Sequence, residues 1–330
     1  MLPFDIGYQL SLEQFQPDSA LEQVMRSEKE GFQSIWASDH FHPWFHTNAS
    51  SVFAWTFLAS AAQATQKVRL GTAATCPILR YHPALIAQAF ATLNYMYGDR
   101  IFLSLATGEP FNELPLGYEW PSHSVRIQML EEAITLIRKL WGGEFVSFTG
   151  NFYKLKGAKL YTPPKSSVPI FIAGSGKKAC ELAGRIGDGL LTSSPSEESL
   201  NSVIFPALRK GLTESGREFD TFNKSVEIGM SYSQDYEKAL ESVRPWGGTM
   251  LPIFRKALVT DPREIEACGT LVGDKQLSSS WIIATSSEPF IKAIERFKQL
   301  GFNNVHVTSS SPDQCEFIRL FGKEVIPYFQ

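Results

Sequence analysis

The strongest constraint on this chain is a rhythm. Short apolar runs of strand length and amphipathic stretches of helix length follow one another eight times from end to end. The strand-like runs fall at 4–9, 33–38, 68–75, 100–107, 168–173, 189–193, 226–232 and 304–308, and helical periodicity follows each. In the helix expected over 125–141, Ile127, Leu130, Ile134, Ile137 and Trp141 share one face. The helix over 83–98 opens on Pro83 and closes on Gly98, the usual start and stop residues. Strict alternation implies a parallel sheet, because neighbouring parallel strands need a crossover between them. Eight units in 330 residues fit a closed (β/α)8 TIM barrel with insertions better than an open doubly wound sheet.

Two stretches break the rhythm. Short β-type runs around Thr149-Gly150-Asn151 and Lys156-Gly157 read as a hairpin insertion near 145–162. Residues 246–280 read as an irregular insertion at the seventh strand. Ser194, Pro195 and Glu197 read as the cap, first-turn proline and N3 acid of a helix reaching about Gly211. The whole of 1–330 is expected to be one barrel domain.

Composition narrows the function. Lys and Arg number 31 against 34 Asp and Glu, which leaves no basic excess for nucleic-acid binding. No apolar run reaches the length of a membrane span, and the N-terminus lacks a basic secretory n-region. The four cysteines form no C-x-x-C pair, as expected of free thiols in a reducing cytoplasm. The expected partner is a small molecule, with neither nucleic acid nor membrane.

Chemistry in a barrel gathers where strands end. Glu13 follows the first strand, Asp39-His40-Phe41-His42 the second, and Thr107-Gly108-Glu109 the fourth. A histidine between two carboxylates can share acid and base roles. Glu13 or Glu109 could instead pair with a loop arginine such as Arg80, and His42 reads as a loop-stabilising hydrogen-bonder. His40-x-His42 could ligate zinc, but that needs further ligands at other strand ends. Histidines 46, 82, 123 and 306 do not supply them, so no metal is expected. Gly174-Ser175-Gly176 leads straight into a helix, where free backbone N–H groups suit a phosphate; a plain tight turn fits the same residues. The small residues of Thr72-Ala73-Ala74-Thr75 allow a planar ring against backbone, or simply a tightly packed strand end.

These motifs together resemble the luciferase-like flavin and deazaflavin oxidoreductases, and within them the branch that uses coenzyme F420. The resemblance rests on Asp39-His40-Phe41-x-Pro43-Trp44 and Gly108-Glu109-x-x-Asn112-Glu113. Further matches are Arg80-Tyr81-x-Pro83-Ala84, Ala183-Gly184-x-x-Gly187-Asp188 and Glu324-Val325-Ile326-Pro327. It implies a homodimeric barrel with the deazaflavin at its mouth, against a non-prolyl cis peptide at Ala73–Ala74. It implies coenzyme contacts from Asp39, Ala73, Ala74, Cys76, Thr107, Gly108 and Asn112, and from Gly174, Ser175 and Gly176 to its phosphate. By the same resemblance His40 is the base that takes a hydroxyl proton while hydride passes to C5 of the deazaflavin. Glu109 protonates or hydrogen-bonds the reduced ring or positions the substrate, Trp44 walls the pocket and stabilises the developing charge, and Glu13 supports His40 or the substrate.

Sugar-phosphate members of the branch hold the substrate phosphate with two lysines and an arginine. Here Ser196 and Ser280 stand at two of those positions and Lys256 at the third, with Ser193 nearby. One cation of three makes a poor phosphate clamp. The expected substrate is therefore a non-phosphorylated secondary alcohol. The alternatives are a sugar phosphate, or an FMN-dependent monooxygenase with FMN in place of F420.

Overall fold

The computed structural model describes residues 3–251 and 258–330. Strands β1 (Asp5–Leu10), β2 (Ser34–Ala37), β3 (Arg69–Thr72), β4 (Leu103–Leu105), β7 (Ile170–Ala173), β8 (Gly189–Ser193), β9 (Asn223–Tyr232) and β11 (Asn304–Ser309) form the main sheet. Their order is β3-β2-β1-β11-β9-β8-β7-β4, with parallel pairing throughout. Parallel bridges Leu70–Ile101 and Thr75–Leu105 join the two ends and close the ring. The expected TIM barrel is the architecture observed.

Alternation along the strands explains the closure. Ile6, Tyr8 and Leu10 are buried outward in the main core against the helices, which include α1 (Pro17–Lys29), α2 (Ala54–Ala64) and α3 (Pro83–Tyr97). A separate cluster of Trp36, Phe102, Phe171 and Leu191 fills the barrel interior. These rings need small neighbours: a Cβ at Gly71 would run into Phe102, and one at Gly189 into Phe171. Trp36 stacks on His306, with ring centroids 4.5 Å apart and planes 12° apart.

Strands β5 (Val146–Thr149) and β6 (Lys154–Ala158) pair antiparallel, apart from the barrel. The stretch read as irregular is more ordered than its sequence suggests. It holds a 3-10 segment (Arg244–Met250) and helices Pro262–Gly269 and Asp274–Ser280. A short strand, β10 (Ile282–Ala284), then pairs with the end of β9. These helices are seven or eight residues long, too short for periodicity to reveal. The cap expected at Ser194 is also displaced. Ser196 is the N-cap, accepting from the Ser199 N–H at 3.1 Å, and the helix starts at Glu197. Ser194 instead sits at φ +34°, with its N–H and hydroxyl both donated to the Glu227 carbonyl.

Candidate active site

The mouth of the barrel is organised by one amide. Asn112 lies in the short helix α4 (Pro110–Glu113), and its Oδ1 accepts from the backbone N–H of Phe41 (2.8 Å) and of His42 (3.1 Å). Two N–H groups on one atom identify that atom as the oxygen. The Nδ2 end therefore faces His40, 3.2 Å from Nδ1, and lies 3.4 Å from Glu109 Oε2.

This fixes the imidazole. Asn112 donates to Nδ1, so a neutral His40 carries its proton on Nε2. A base working at Nε2 needs the opposite tautomer. With the proton on Nε2, the His40 nitrogen nearest Glu13 is a donor. The Nε2 faces Glu13, with 3.9 Å to Oε1, and Nδ1 lies 4.0 Å from Glu109 Oε2. The side chains differ in access: Glu13 is 5% exposed, His40 14% and Glu109 43%. Glu13 is held from behind by Ser38, whose hydroxyl accepts from the Leu12 N–H at 2.8 Å and donates to Glu13 Oε2. Trp44 and Phe111 wall the histidine, with ring centroids 6.2 and 5.5 Å from it and 4.2 Å from each other.

Neither Glu13 nor Glu109 pairs with Arg80. That arginine joins Asp39 (3.1 Å) to Glu113 (3.3 Å), all three side chains being nearly inaccessible. Asp39 also accepts from Thr75 Oγ1 at 2.6 Å and from the Tyr81 hydroxyl at 3.2 Å. Burial and the Asp39 charge push the Tyr81 phenol up, and burial raises Glu113 against the pull of Arg80. Asp39 and Asn112, expected at the coenzyme, are thus each held by contacts from other loops. His42 donates to the Thr260 carbonyl at 3.0 Å and ties its loop to the far side of the mouth.

The strand ladder between β3 and β4 skips Ala73–Ala74, which are joined by a cis peptide, and resumes at Thr75. Gly108, at φ +74°, lies against Cys76, and any Cβ there would meet the cysteine sulfur. Burial and the neighbouring Glu113 carboxylate hold the Cys76 thiol well above its ordinary range. Gly174, Ser175 and Gly176 precede the helix Lys177–Ile186, with Ser175 and Gly176 exposed. Ser193 is exposed at the end of β8 and Ser196 just beyond it, and Ser280 is exposed at the end of its helix. Lys256 lies outside the described residues.

Two features escaped the sequence reading. Glu227, on β9, accepts from Thr308 Oγ1 at 2.6 Å. Burial and then Glu13 raise its carboxyl, while Thr308, Ser193 and His40 oppose the rise, so it shares one electrostatic field with the acid–base cluster. A lone carboxylate in an apolar strand was the available signal. The second is an apolar roof of Phe45, Val243, Trp246, Val272, Leu277 and Trp281, against which Trp44 packs. No local motif marks it.

The model of the luciferase-like monooxygenase family matches residues 1–304. This chain belongs to that family. Among relatives, F420-dependent glucose-6-phosphate dehydrogenases of Microbacterium testaceum and Mycobacterium tuberculosis are 38% and 36% identical. The first alignment covers 99% of this chain and 97% of the relative, the second 99% and 98%. A solved F420-dependent secondary alcohol dehydrogenase, in complex with an F420–acetone adduct, superposes with a TM-score of 0.95. It is 42% identical, with both chains fully covered. An F420-dependent tetrahydromethanopterin reductase from Methanopyrus kandleri, 21% identical with a TM-score of 0.83 over the full length of both chains, shares the fold.

Proposed function

We propose that this family member oxidises a non-phosphorylated secondary alcohol, with coenzyme F420 as the hydride acceptor. The coarser statement, an F420-dependent oxidoreductase acting on CH–OH groups, is common to the dehydrogenases of both kinds. The finer one is carried by a single observation. The polar cluster of Glu13, His40 and Glu109 is walled by Trp44 and Phe111, while serines occupy two of the three expected phosphate-clamp positions.

The mouth fits a planar coenzyme. Ala73, Ala74 and Gly108 present backbone without side-chain bulk, and Gly108 has no room for more. Ala73, Ala74, Thr107 and Gly108 would border the ring, with Cys76 behind them. The exposed Ser175 and Gly176 at the start of the helix Lys177–Ile186 would hold a phosphate. When bound, F420 supplies a C5 atom that takes up hydride. The chain's own residues do the rest. Glu13 and His40 handle the hydroxyl and its proton, Trp44 and Phe111 exclude water, and Glu109 stands at the solvent side of the histidine.

Fluorescence titration with F420 and, separately, FMN tests the cofactor. Bleaching of bound F420 by 2-propanol or 2-butanol tests the substrate. Tight binding of F420 and bleaching by a secondary alcohol are expected. Turnover of glucose 6-phosphate at low concentration overturns the substrate reading, and binding of FMN alone overturns the cofactor.

A further inference from the structure

We propose that Glu13 receives the hydroxyl proton of the substrate and that His40 donates a hydrogen bond to the same oxygen throughout. The inference rests on the alcohol-oxidation reading and assigns the roles within it.

Three observations carry it. Asn112 is oriented by two backbone donors, so its amide donates to His40 Nδ1 and leaves Nε2–H as the group facing Glu13. The Ser38 hydroxyl accepts the Leu12 N–H and donates its own proton to Glu13 Oε2. The remaining oxygen, Oε1, lies 3.9 Å from His40 Nε2. That is too long for a direct hydrogen bond, but a third atom fits: an oxygen about 2.8 Å from each closes the triangle. A hydroxyl there accepts from Nε2–H and donates to Oε1. Neither contact disturbs the hydrogen bonds already made.

The step balances. The substrate O–H bond breaks and its proton passes to Glu13 Oε1. The freed pair becomes the second C–O bond as the C–H bond breaks. The hydrogen on carbon leaves with its electron pair to the bound hydride acceptor. The carbonyl oxygen keeps its hydrogen bond from His40, and Glu13 returns its proton to water when the ketone departs. Among the described residues, the ionisable groups around Glu13 are His40 from the β2 loop and Glu227 from β9, with Glu109 beyond the imidazole.

The test compares Glu13→Gln with His40→Gln. The glutamine amide at position 40 restores an N–H close to the place of Nε2–H. Loss of a general base is expected to lower kcat of Glu13→Gln by about 10²–10⁴-fold and to abolish the acid limb of its kcat/KM profile. His40→Gln is expected to keep the limb and lose about tenfold. A His40→Gln variant that loses the limb while Glu13→Gln keeps it overturns the assignment. A second readout needs no turnover. In histidine-labelled enzyme, ¹⁵N spectra, assigned through the missing signal of His40→Gln, should show the Nε2–H tautomer of neutral His40. The Nδ1–H tautomer overturns the proposal. Wild type that binds F420 but oxidises no alcohol sinks the substrate reading instead, and the tautomer still decides the roles.

Discussion

The two sides of the barrel mouth are built on different principles. The side formed after β1 to β4 is a polar lock, in which Glu13, Asp39, His40, Arg80, Asn112 and Glu113 are each held by a named partner. The opposite side, roofed by Trp246, Val272, Leu277 and Trp281, is held by apolar packing. Fixed charges tolerate little displacement, because every buried one needs its partner in place. Packing only needs volume to be filled. The first side suits chemistry that does not vary, and the second suits a substrate wall that can.

The largest effect is expected from breaking the lock. Arg80→Met leaves Asp39 and Glu113 buried without their cation. Unfolding in urea should show a loss of about 3–5 kcal/mol. A loss below about 1 kcal/mol would mean that the lock is replaceable, and the contrast between the sides would fall. Next comes the roof. Trp246 is buried against Phe45 and Trp281. Trp246→Ala should cost about 3 kcal/mol. If the sides are separable, F420 affinity stays within about threefold of wild type, while KM for the alcohol rises severalfold. Equal loss of both would show that one surface serves both ligands.

The same contrast explains what the sequence made legible. The polar side is written in short motifs. Asp39-His40 and Glu109-x-x-Asn112 are each compact runs at strand ends whose position alternation already dictates, although their hydrogen-bond partners come mostly from other loops. The roof draws on Phe45 and on residues from Leu240 to Trp281, joined only by tertiary contact, so the stretch from 246 looked irregular. The His40 tautomer was hidden for another reason. It depends on which way one amide points, and two backbone N–H groups from a different loop decide that.

Beneath both sides the barrel interior carries His306. It is fully buried on β11, stacked on Trp36, with Nδ1 3.1 Å from the Ser225 hydroxyl. Burial pushes its pKa down to about 3. The unfolded chain takes up this proton near pH 6.5, and the folded one refuses it until about pH 3. Stability therefore falls as pH drops below 6.5, by about 1.4 kcal/mol per unit from this group. His306→Gln should flatten that part of the profile. Parallel profiles for variant and wild type between pH 4.5 and 7 would remove His306 as the cause.

The smallest effect is expected at the rim. Ser196 and Ser280 are exposed, so charges placed there remain largely solvated, and each is worth about 1 kcal/mol or less toward a bound phosphate. The double variant Ser196→Lys, Ser280→Arg should raise kcat/KM for glucose 6-phosphate by about tenfold over wild type. Losing the Ser196 cap on the Ser199 N–H should cost about 1 kcal/mol of stability. Secondary-alcohol turnover should stay within about twofold, because neither position belongs to the lock. A phosphate gain bought with an equal loss of alcohol turnover would show that the rim reaches the reacting carbon. No gain at all would place phosphate discrimination inside the aromatic wall of Trp44 and Phe111.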